Sequence, residues 1–302
     1  MTVVERRTQA AEGVAEYVVR PLSDRDLIRR LLETRRAYSA YALGQLEPRL
    51  FRLSEWWQAQ GPHGQALVLH ARGGLGNATF ALGEAGALDA LLRLHPGPRH
   101  TFLTCEVHQM DAVARHFELE HRQTMIRMLA TEETFRPITG GVRRLAGRDA
   151  REINRLYRTD GVPSFYHARQ IDEAIYFGAE RDGGLVAIAG THVISAASGI
   201  AVIGNVYTHP HHRGQHLAQA ATSAVTQQLL RTCREVVLSV DPTNLPAVRA
   251  YEHIGFTEVA RLVEGAAARR DPMGAMTAVR RTLARLRGRG QGVEIIRMRG
   301  AE

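Results

Sequence analysis

The sequence predicts an α+β chain built as two similar domains in tandem, and three observations carry that expectation. At 302 residues the chain exceeds one ordinary domain and suits two of typical size. The order of strands and helices repeats after a polar break at Thr131–Thr134. Two segments also share a plan: MDAVARHFELEHRQTMIRM from Met110 and LPAVRAYEHIGFTEVARLV from Leu245 each place Ala-Val early in a helix and an aromatic later, then turn into a strand. The boundaries expected are a polar lead-in over 1–16, a first domain over 17–134, a second over 135–265 and a basic helical tail over 266–302.

In order, Tyr17–Val19 reads as a short strand, and Asp24–Arg36 as a helix with Leu27, Ile28, Leu31 and Leu32 on one stripe and Ser23 as its cap. An aromatic-rich stretch broken by Pro48 follows; its Trp56 and Trp57 fit either a ligand cleft or the domain core. Strands are expected at Gln65–Arg72, Asn77–Leu82, His100–His108 and Gln123–Leu129, a turn at Gly73–Gly76, and helices at Leu88–Leu94 and Met110–Phe117. The second half repeats the pattern with a strand at Val142–Leu145, helices at Asp149–Tyr157 and His167–Tyr176, and a hairpin, Phe177–Glu180 with Leu185–Ile194, around Asp182-Gly183-Gly184. Glu235–Val240 is a continuous β-branched run suited to burial on both faces, and Leu245–His253 a helix closed by Gly255 before a last strand, Phe256–Val263.

The centre of the second half is IAVIGNVYTHPHHRGQHLAQAA, Ile200–Ala221. Ile200–Thr208 reads as a buried strand, while Leu217, Ala221, Ala224, Val225 and Leu229 recur at helical spacing. A strand that ends in a short Gly-containing turn and feeds a helix aims several free backbone N–H groups, and the positive end of the helix dipole, at one spot. An anion is the natural occupant. The glycine spacings of dinucleotide and nucleoside-triphosphate loops, GxGxxG and GxxxxGK, do not occur.

Composition limits the alternatives. The chain is 44% hydrophobic, enough for full cores, and its net charge of +8 comes entirely from arginine. Such a balance concentrates anionic ligands and attracts nucleic acid non-specifically. No apolar run approaches the ~20 residues of a membrane span, and the amino terminus lacks the apolar centre of a secretion signal, so a cytoplasmic protein with no membrane partner is expected. Cys105 and Cys233 are too few for a disulfide framework and are not spaced as metal ligands; both read as buried small hydrophobes.

The run Arg213, Gly214, Gln215, His216, Leu217, Ala218 resembles the phosphate loop of the GNAT superfamily of N-acetyltransferases: Gln or Arg, two free positions, Gly, one free position, then Gly or Ala. His216 stands where that pattern has glycine. The resemblance extends over about Val142–Val263 and includes NLPAVRAYEHIGF, close to the family's Asn ahead of a helix, Ala, Tyr and Gly-Phe exit. It implies a GNAT-type α+β fold, two tandem GNAT-like domains, each a mixed, mostly antiparallel sheet flanked by helices. It further implies direct attack of a primary amine on acetyl-coenzyme A. The pyrophosphate would lie on Arg213–Ala218 and the acetyl and pantetheine groups along the backbone of the strand from Asn205 to Thr208, with Val206, Tyr207 and Thr208 as the binding residues. Asn244 would touch the pantetheine arm, and Tyr251 would protonate the departing thiolate. A phenol, protonated at neutral pH, suits that last role. Taken alone, Asn244 reads as a helix cap and Tyr251 as a core aromatic.

The central strand carries no glutamate, so a dedicated base for the amine is not evident. His192 and Glu180 are nearest in strand order; His192 reads first as a satisfied histidine on a sheet face and Glu180 as a solvated hairpin residue. An Arg-Gly loop is missing near Gly83–Gly86, so the first domain is expected to be a degenerate, non-catalytic copy. The whole arrangement looks most like the glycine-N-acyltransferase-related branch of the superfamily, which suggests an amino acid or small amine as acceptor. Beyond Gly265, Met276, Val279, Leu283 and Leu286 give Met273–Arg287 a helical stripe to pack on a domain or on a partner chain, which leaves a homodimer open, and Glu294–Met298 adds a strand. Two other readings stand beside the enzyme: a non-catalytic acyl-coenzyme A sensor, and a nucleic-acid module using the RGRG run. The tail lacks interleaved aromatics, so no specific nucleic acid is expected.

Overall fold

The computed structural model describes residues 14–73, 76–161, 165–288 and 293–299. Most of the expected lead-in, the middle of the Gly73–Gly76 turn and the end of the RGRG run lie outside the described residues. In chain order the elements are β1 (Val14–Pro21), α1 (Arg25–Glu33), α2 (Ala40–Gly44), α3 (Pro48–Phe51), β2 (Ser54–Gly61), β3 (Gly64–Arg72), β4 (Asn77–Gly83), α4 (Ala85–Leu94), β5 (His100–Cys105), α5 (Met110–Ala114) and β6 (Phe117–Thr131). There follow β7 (Val142–Arg144), α6 (Ala150–Arg158), α7 (Ala168–Asp172), β8 (Phe177–Arg181), β9 (Gly184–Ser195), β10 (Ile200–Thr208), α8 (Leu217–Leu229), β11 (Glu235–Val240), α9 (Leu245–His253), β12 (Thr257–Arg269), α10 (Ala275–Arg287) and β13 (Glu294–Arg299).

Local chemistry accounts for most ends. Asp182 (φ 51°) and Gly183 (φ 77°) make the two-residue left-handed turn that closes the β8–β9 hairpin. Asn244 caps α9 by accepting from Ala247 N at 3.3 Å, and Gly255 (φ 93°) ends it where any Cβ would strike the Thr134 carbonyl. Two expectations are corrected. Asp24, not Ser23, caps α1, its Oδ1 accepting from Asp26 N at 2.9 Å and Leu27 N at 3.0 Å. The helix expected over His167–Tyr176 is the shorter α7, because Tyr176 turns back into the core. Ser54–Gly61, which contains both tryptophans, is a strand; Trp56 is buried and Trp57 stacks on His95.

The chain divides into two compact units that interleave in sequence: residues 1–34, 48–123 and 262–302 form one, and 35–47 with 124–261 the other. The consecutive division at 134/135 expected from the sequence is therefore not the one observed. The first unit holds strands in the order β13-β1-β2-β3-β4-β5-β12, the second β6-β11-β10-β9-β8-β7. In each unit the last strand of the opposite half of the chain completes the sheet: β12 pairs with β5 antiparallel from Val263↔Cys105 to Ala268↔His100, and β6 pairs with β11 from Ile126↔Val240 to Thr131↔Glu235. Nothing in local periodicity reports such an exchange. The basic tail is likewise part of the first unit, β13 pairing with β1 and Glu294 on β13 bonding to His95 and Arg285. The stripe Met276, Val279, Leu283 and Leu286 is exposed; Thr277 and Ala284 are the residues α10 buries.

Both units contain the same motif, an antiparallel meander ending in a strand that pairs parallel with the next across an intervening helix: β2-β3-β4 to β5 over α4, and β8-β9-β10 to β11 over α8. Each half-sheet is packed on its crossover helix, Leu88 and Leu91 of α4 in one core and Ala221, Val225 and Leu229 of α8 in the other. Cys105 and Cys233 are buried free thiols, and burial pushes Cys105 up to about 12.

Candidate active site

In the second unit the parallel pairing of β10 with β11 runs only from Ile200↔Glu235 to Ile203↔Leu238, although β10 continues to Thr208 and β11 to Val240. The two strands part at that point. Buried parallel strands normally keep their ladder, so the gap exposes the β11-facing backbone edge of Asn205–Thr208.

Two opposed bulges mark the same level. Between Val202↔Val193 and Ile203↔Thr191, β9 carries one extra residue, His192; between Gly204↔Gly190 and Tyr207↔Ile188, β10 carries one extra. Bulges re-aim side chains beside functional sites. Here they bring His192 and Asn205 together, the latter in the left-handed region at φ 54° that Asn tolerates well. Asn205 Oδ1 accepts from His192 Nε2 at 3.0 Å and from Tyr166 Oη at 2.8 Å, its Nδ2 donates to Tyr176 Oη at 2.9 Å, and its carbonyl accepts from Tyr157 Oη at 2.6 Å. Tyr41 on α2 bonds His192 Nδ1 at 2.7 Å. The close approach needs glycines: a Cβ on Gly204 would overlap the His192 ring, and one on Gly190 the Tyr176 ring. Burial pushes the Tyr176 phenol up to about 12 and the His192 imidazole down from its ordinary 6.5.

At the end of β10, Arg213–His216 leads into α8. No hydrogen bond from the N–H groups of Gly214, Gln215 or His216 to another described residue is found, and the first N–H that α8 satisfies internally is that of Ala220, on the His216 carbonyl at 3.0 Å. The helix start is therefore an uncapped cluster of donors at the positive end of the dipole. His216 takes the left-handed φ of 58° that a glycine would take without cost, and its ring folds onto α8, Nδ1 lying 3.0 Å from Gln219 Oε1. Gln219 in turn donates to the Ala250 carbonyl of α9 at 3.2 Å. The side chain that replaces glycine thus leans along the helix and leaves the donors uncovered. Arg213 is exposed, 3.8 Å from Asp160. Leu217 is buried against Ala179, Val186 and Ala187, and Ala218 is half-buried on the first turn.

The other expected site residues fall as follows. Val206 packs on the core, Tyr207 Oη lies 2.8 Å from Thr159 Oγ1, and the Thr208 carbonyl receives Arg213 Nε at 3.4 Å. Asn244 spends its Oδ1 on the α9 cap. Tyr251 on α9 is 7% exposed beside Phe256, and among the described residues nothing pairs with its hydroxyl; burial pushes it up to about 12. Glu180 is held by Arg143 at 2.6 Å on the hairpin and does not enter the cluster. Tyr41, Tyr157, Tyr166 and Tyr176 were not singled out from the sequence, and Asn205 was read only for its backbone; the signal available was Gly204-Asn205 inside a strand, a pattern that marks bulges.

The first unit offers the contrast. Where α8 is open, α4 is closed by the chain's own carboxylate, Glu84 accepting from Gly86 N at 2.6 Å and Ala87 N at 2.7 Å.

A mixed sheet with a strand pair that parts beside an uncapped helix start is the GNAT acetyltransferase fold. Residues 144–256 match the model of the Acetyltransferase (GNAT) family. A stretch of 91 residues is 43% identical to the mycothiol acetyltransferase of Thermobispora bispora, covering 28% of this chain and 31% of that relative, so the match spans about a third of the relative's length. Among solved structures, a Drosophila protein superposes with a TM-score of 0.58 at 16% identity over 82% of this chain and 98% of its own. A GCN5-related N-acetyltransferase from Kribbella flavida gives 0.52 at 18% identity over 77% and 94%. One from Sphaerobacter thermophilus gives 0.51 at 18% over 84% and 95%. The family match thus lies within residues 144–256, and the solved structures share the fold. Among the described residues no helix is long and apolar enough to cross a membrane, and no cluster of metal-ligating side chains is found.

Proposed function

We propose that the second unit transfers an acetyl group from acetyl-coenzyme A to the primary amine of an amino acid or other small molecule, and that the first unit is a non-catalytic copy. The observation that carries this reading is the gap past Ile203↔Leu238 opening next to the uncovered N–H groups of Gly214–Ala218. A ligand with a pyrophosphate at one end and a thioester arm at the other fits that pairing of features. The donors would hold the pyrophosphate. The free edge of Val206–Thr208 would pair with the arm by strand addition and polarise the thioester carbonyl. Nitrogen then bonds to the carbonyl carbon as the carbon–sulfur bond breaks, and Tyr251 would give its proton to the sulfur. A phenol, protonated at neutral pH and here pushed up to about 12 by burial, still carries the proton that a departing thiolate takes. Closure of α4 by Glu84 explains why the first unit lacks an equivalent donor cluster.

The test is thiol release from acetyl-coenzyme A by purified protein against a panel of amino acids, amino-acid amides and simple amines. Amine-dependent release is expected, with the acetylated amine found by mass spectrometry. Saturable acetyl-coenzyme A binding without release on any amine would sink the enzyme reading.

A further inference from the structure

Among the described residues no carboxylate joins the bulge cluster, yet an amine enters as an ammonium and must lose a proton before it attacks. This inference rests on the acetyltransferase reading above. Asn205 Oδ1 only accepts, so the Nε2 of His192 facing it carries the hydrogen, and the Nδ1 lone pair takes the Tyr41 hydroxyl proton. A phenol that donates its one proton to His192 meets any other group as an acceptor, the complement of an ammonium. His192 lies at the β9 bulge opposite Val202 and Ile203, and its ring sits against Gly204, the first residue past the last β10–β11 partner.

The groups that face His192 favour a neutral ring. Tyr41 comes from α2, Asn205 from β10 with Tyr166 and Tyr176 bonded to it, and Arg127 from β6. Arg127 is fully buried, lies opposite Ser239 in the β6–β11 ladder, donates to Ser239 Oγ at 2.7 Å, and stacks its guanidinium 5.2 Å from the Tyr41 ring centroid. Among the described residues its Nε and second terminal nitrogen have no hydrogen-bond partner, so a positive charge held only by Ser239 and the Tyr41 ring stands near the imidazole and disfavours a second one.

We propose that Tyr41 and His192 withdraw the acceptor's proton: Tyr41 Oη takes a proton from the ammonium nitrogen while its own hydroxyl proton passes to His192 Nδ1. The step leaves a neutral amine, an intact phenol and an imidazolium, which the Arg127 charge then drives to release its proton to solvent. The amine lone pair forms the new bond to carbon. The nitrogen's second proton leaves as the amide forms and restores the one that Tyr251 gives the thiolate, so the overall yield is one amide, one thiol and one proton in solution.

The experiment measures kcat/KM for the best amine of the panel from about pH 5 to 9, with acetyl-coenzyme A saturating, in wild type, Tyr41→Phe, His192→Gln and the double variant. Tyr41→Phe keeps the ring under Arg127 and loses only the hydroxyl, so it guards against a His192→Gln that does not fold. The wild type uses the ammonium directly: its profile is level through neutrality and falls only on the acid side of the ordinary imidazole range, because burial holds His192 below it. Both single variants lose about 10²-fold or more near neutrality. Their rates climb about tenfold per pH unit up to the amine's own pKa, because only the free amine then reacts. The double variant is no worse than the worse single one, since the two residues act as one unit. Binding of coenzyme A is unchanged in all three. Wild-type rates in either single variant, an equal loss at every pH, or independent losses that multiply would overturn the relay and leave acetyl transfer standing. No amine-dependent turnover by the wild type would remove both.

Discussion

Tyr251→Phe separates chemistry from folding more sharply than any other change at this site. The substitution removes one oxygen whose hydroxyl pairs with no described residue, from a ring that keeps its contact with Phe256. No internal hydrogen bond is lost and an apolar ring replaces a buried polar one, so stability should change by no more than about 0.5 kcal/mol. Turnover should fall by the roughly 10²–10⁴-fold of a positioned general acid, about 3–5 kcal/mol on the barrier. The assay is single-turnover acetyl transfer with both substrates saturating, run beside thermal melts of both proteins and a calorimetric titration with coenzyme A. Near-equal melting, near-equal affinity and a rate down a hundredfold or more are expected. An unchanged rate across pH would take Tyr251 out of the reaction, and a large loss of stability would show that its hydroxyl has a structural partner.

Three further outcomes follow from the same geometry. Arg213→Ala should weaken coenzyme A only about two- to fivefold and less at high salt, because the side chain is exposed and screened; Gly214→Val should weaken it more, since φ 77° costs a non-glycine residue about 1–2 kcal/mol, and calorimetry ranks the two. Glu84→Ala should cost the first unit about 1 kcal/mol by uncapping α4, seen in denaturant unfolding, with coenzyme A affinity unchanged. His70, buried with Nδ1 at Thr79 and Nε2 at the His95 carbonyl, is held at about 4 by burial against 6.5 when unfolded. Protons then bind the unfolded chain preferentially, so stability is whole above pH 6.5 and lost as pH falls toward about 4, by about 3 kcal/mol, and His70→Gln should flatten that slope in urea titrations at stepped pH.

What the sequence made legible was local. β11 and α9 read correctly because a β-branched run, an Asn cap and a left-handed Gly255 are each self-sufficient signals over a few residues. The opening of α8 read correctly for the same reason. Non-local pairing hid the rest. β6 and β12 follow the helices α5 and α9, yet each is paired in the unit of the other half, an outcome decided by register and not by composition. Tyr41 and His192 are separated by 151 positions and meet through a bulge, and Asn205 looked like one more residue of an apolar strand. The polar pattern of SEWWQAQG concealed β2, in which Gln58 is buried alongside Trp56 and Ala59.

A crystal structure of the full chain with coenzyme A tests the central claim most directly. The account predicts the pyrophosphate over the N–H groups of Gly214–Ala218, the pantetheine arm between β10 and β11 beyond Ile203 and Leu238, and the sulfur next to Tyr251. Density at the N-terminus of α4, or a ligand that leaves the β10–β11 gap empty, would contradict it.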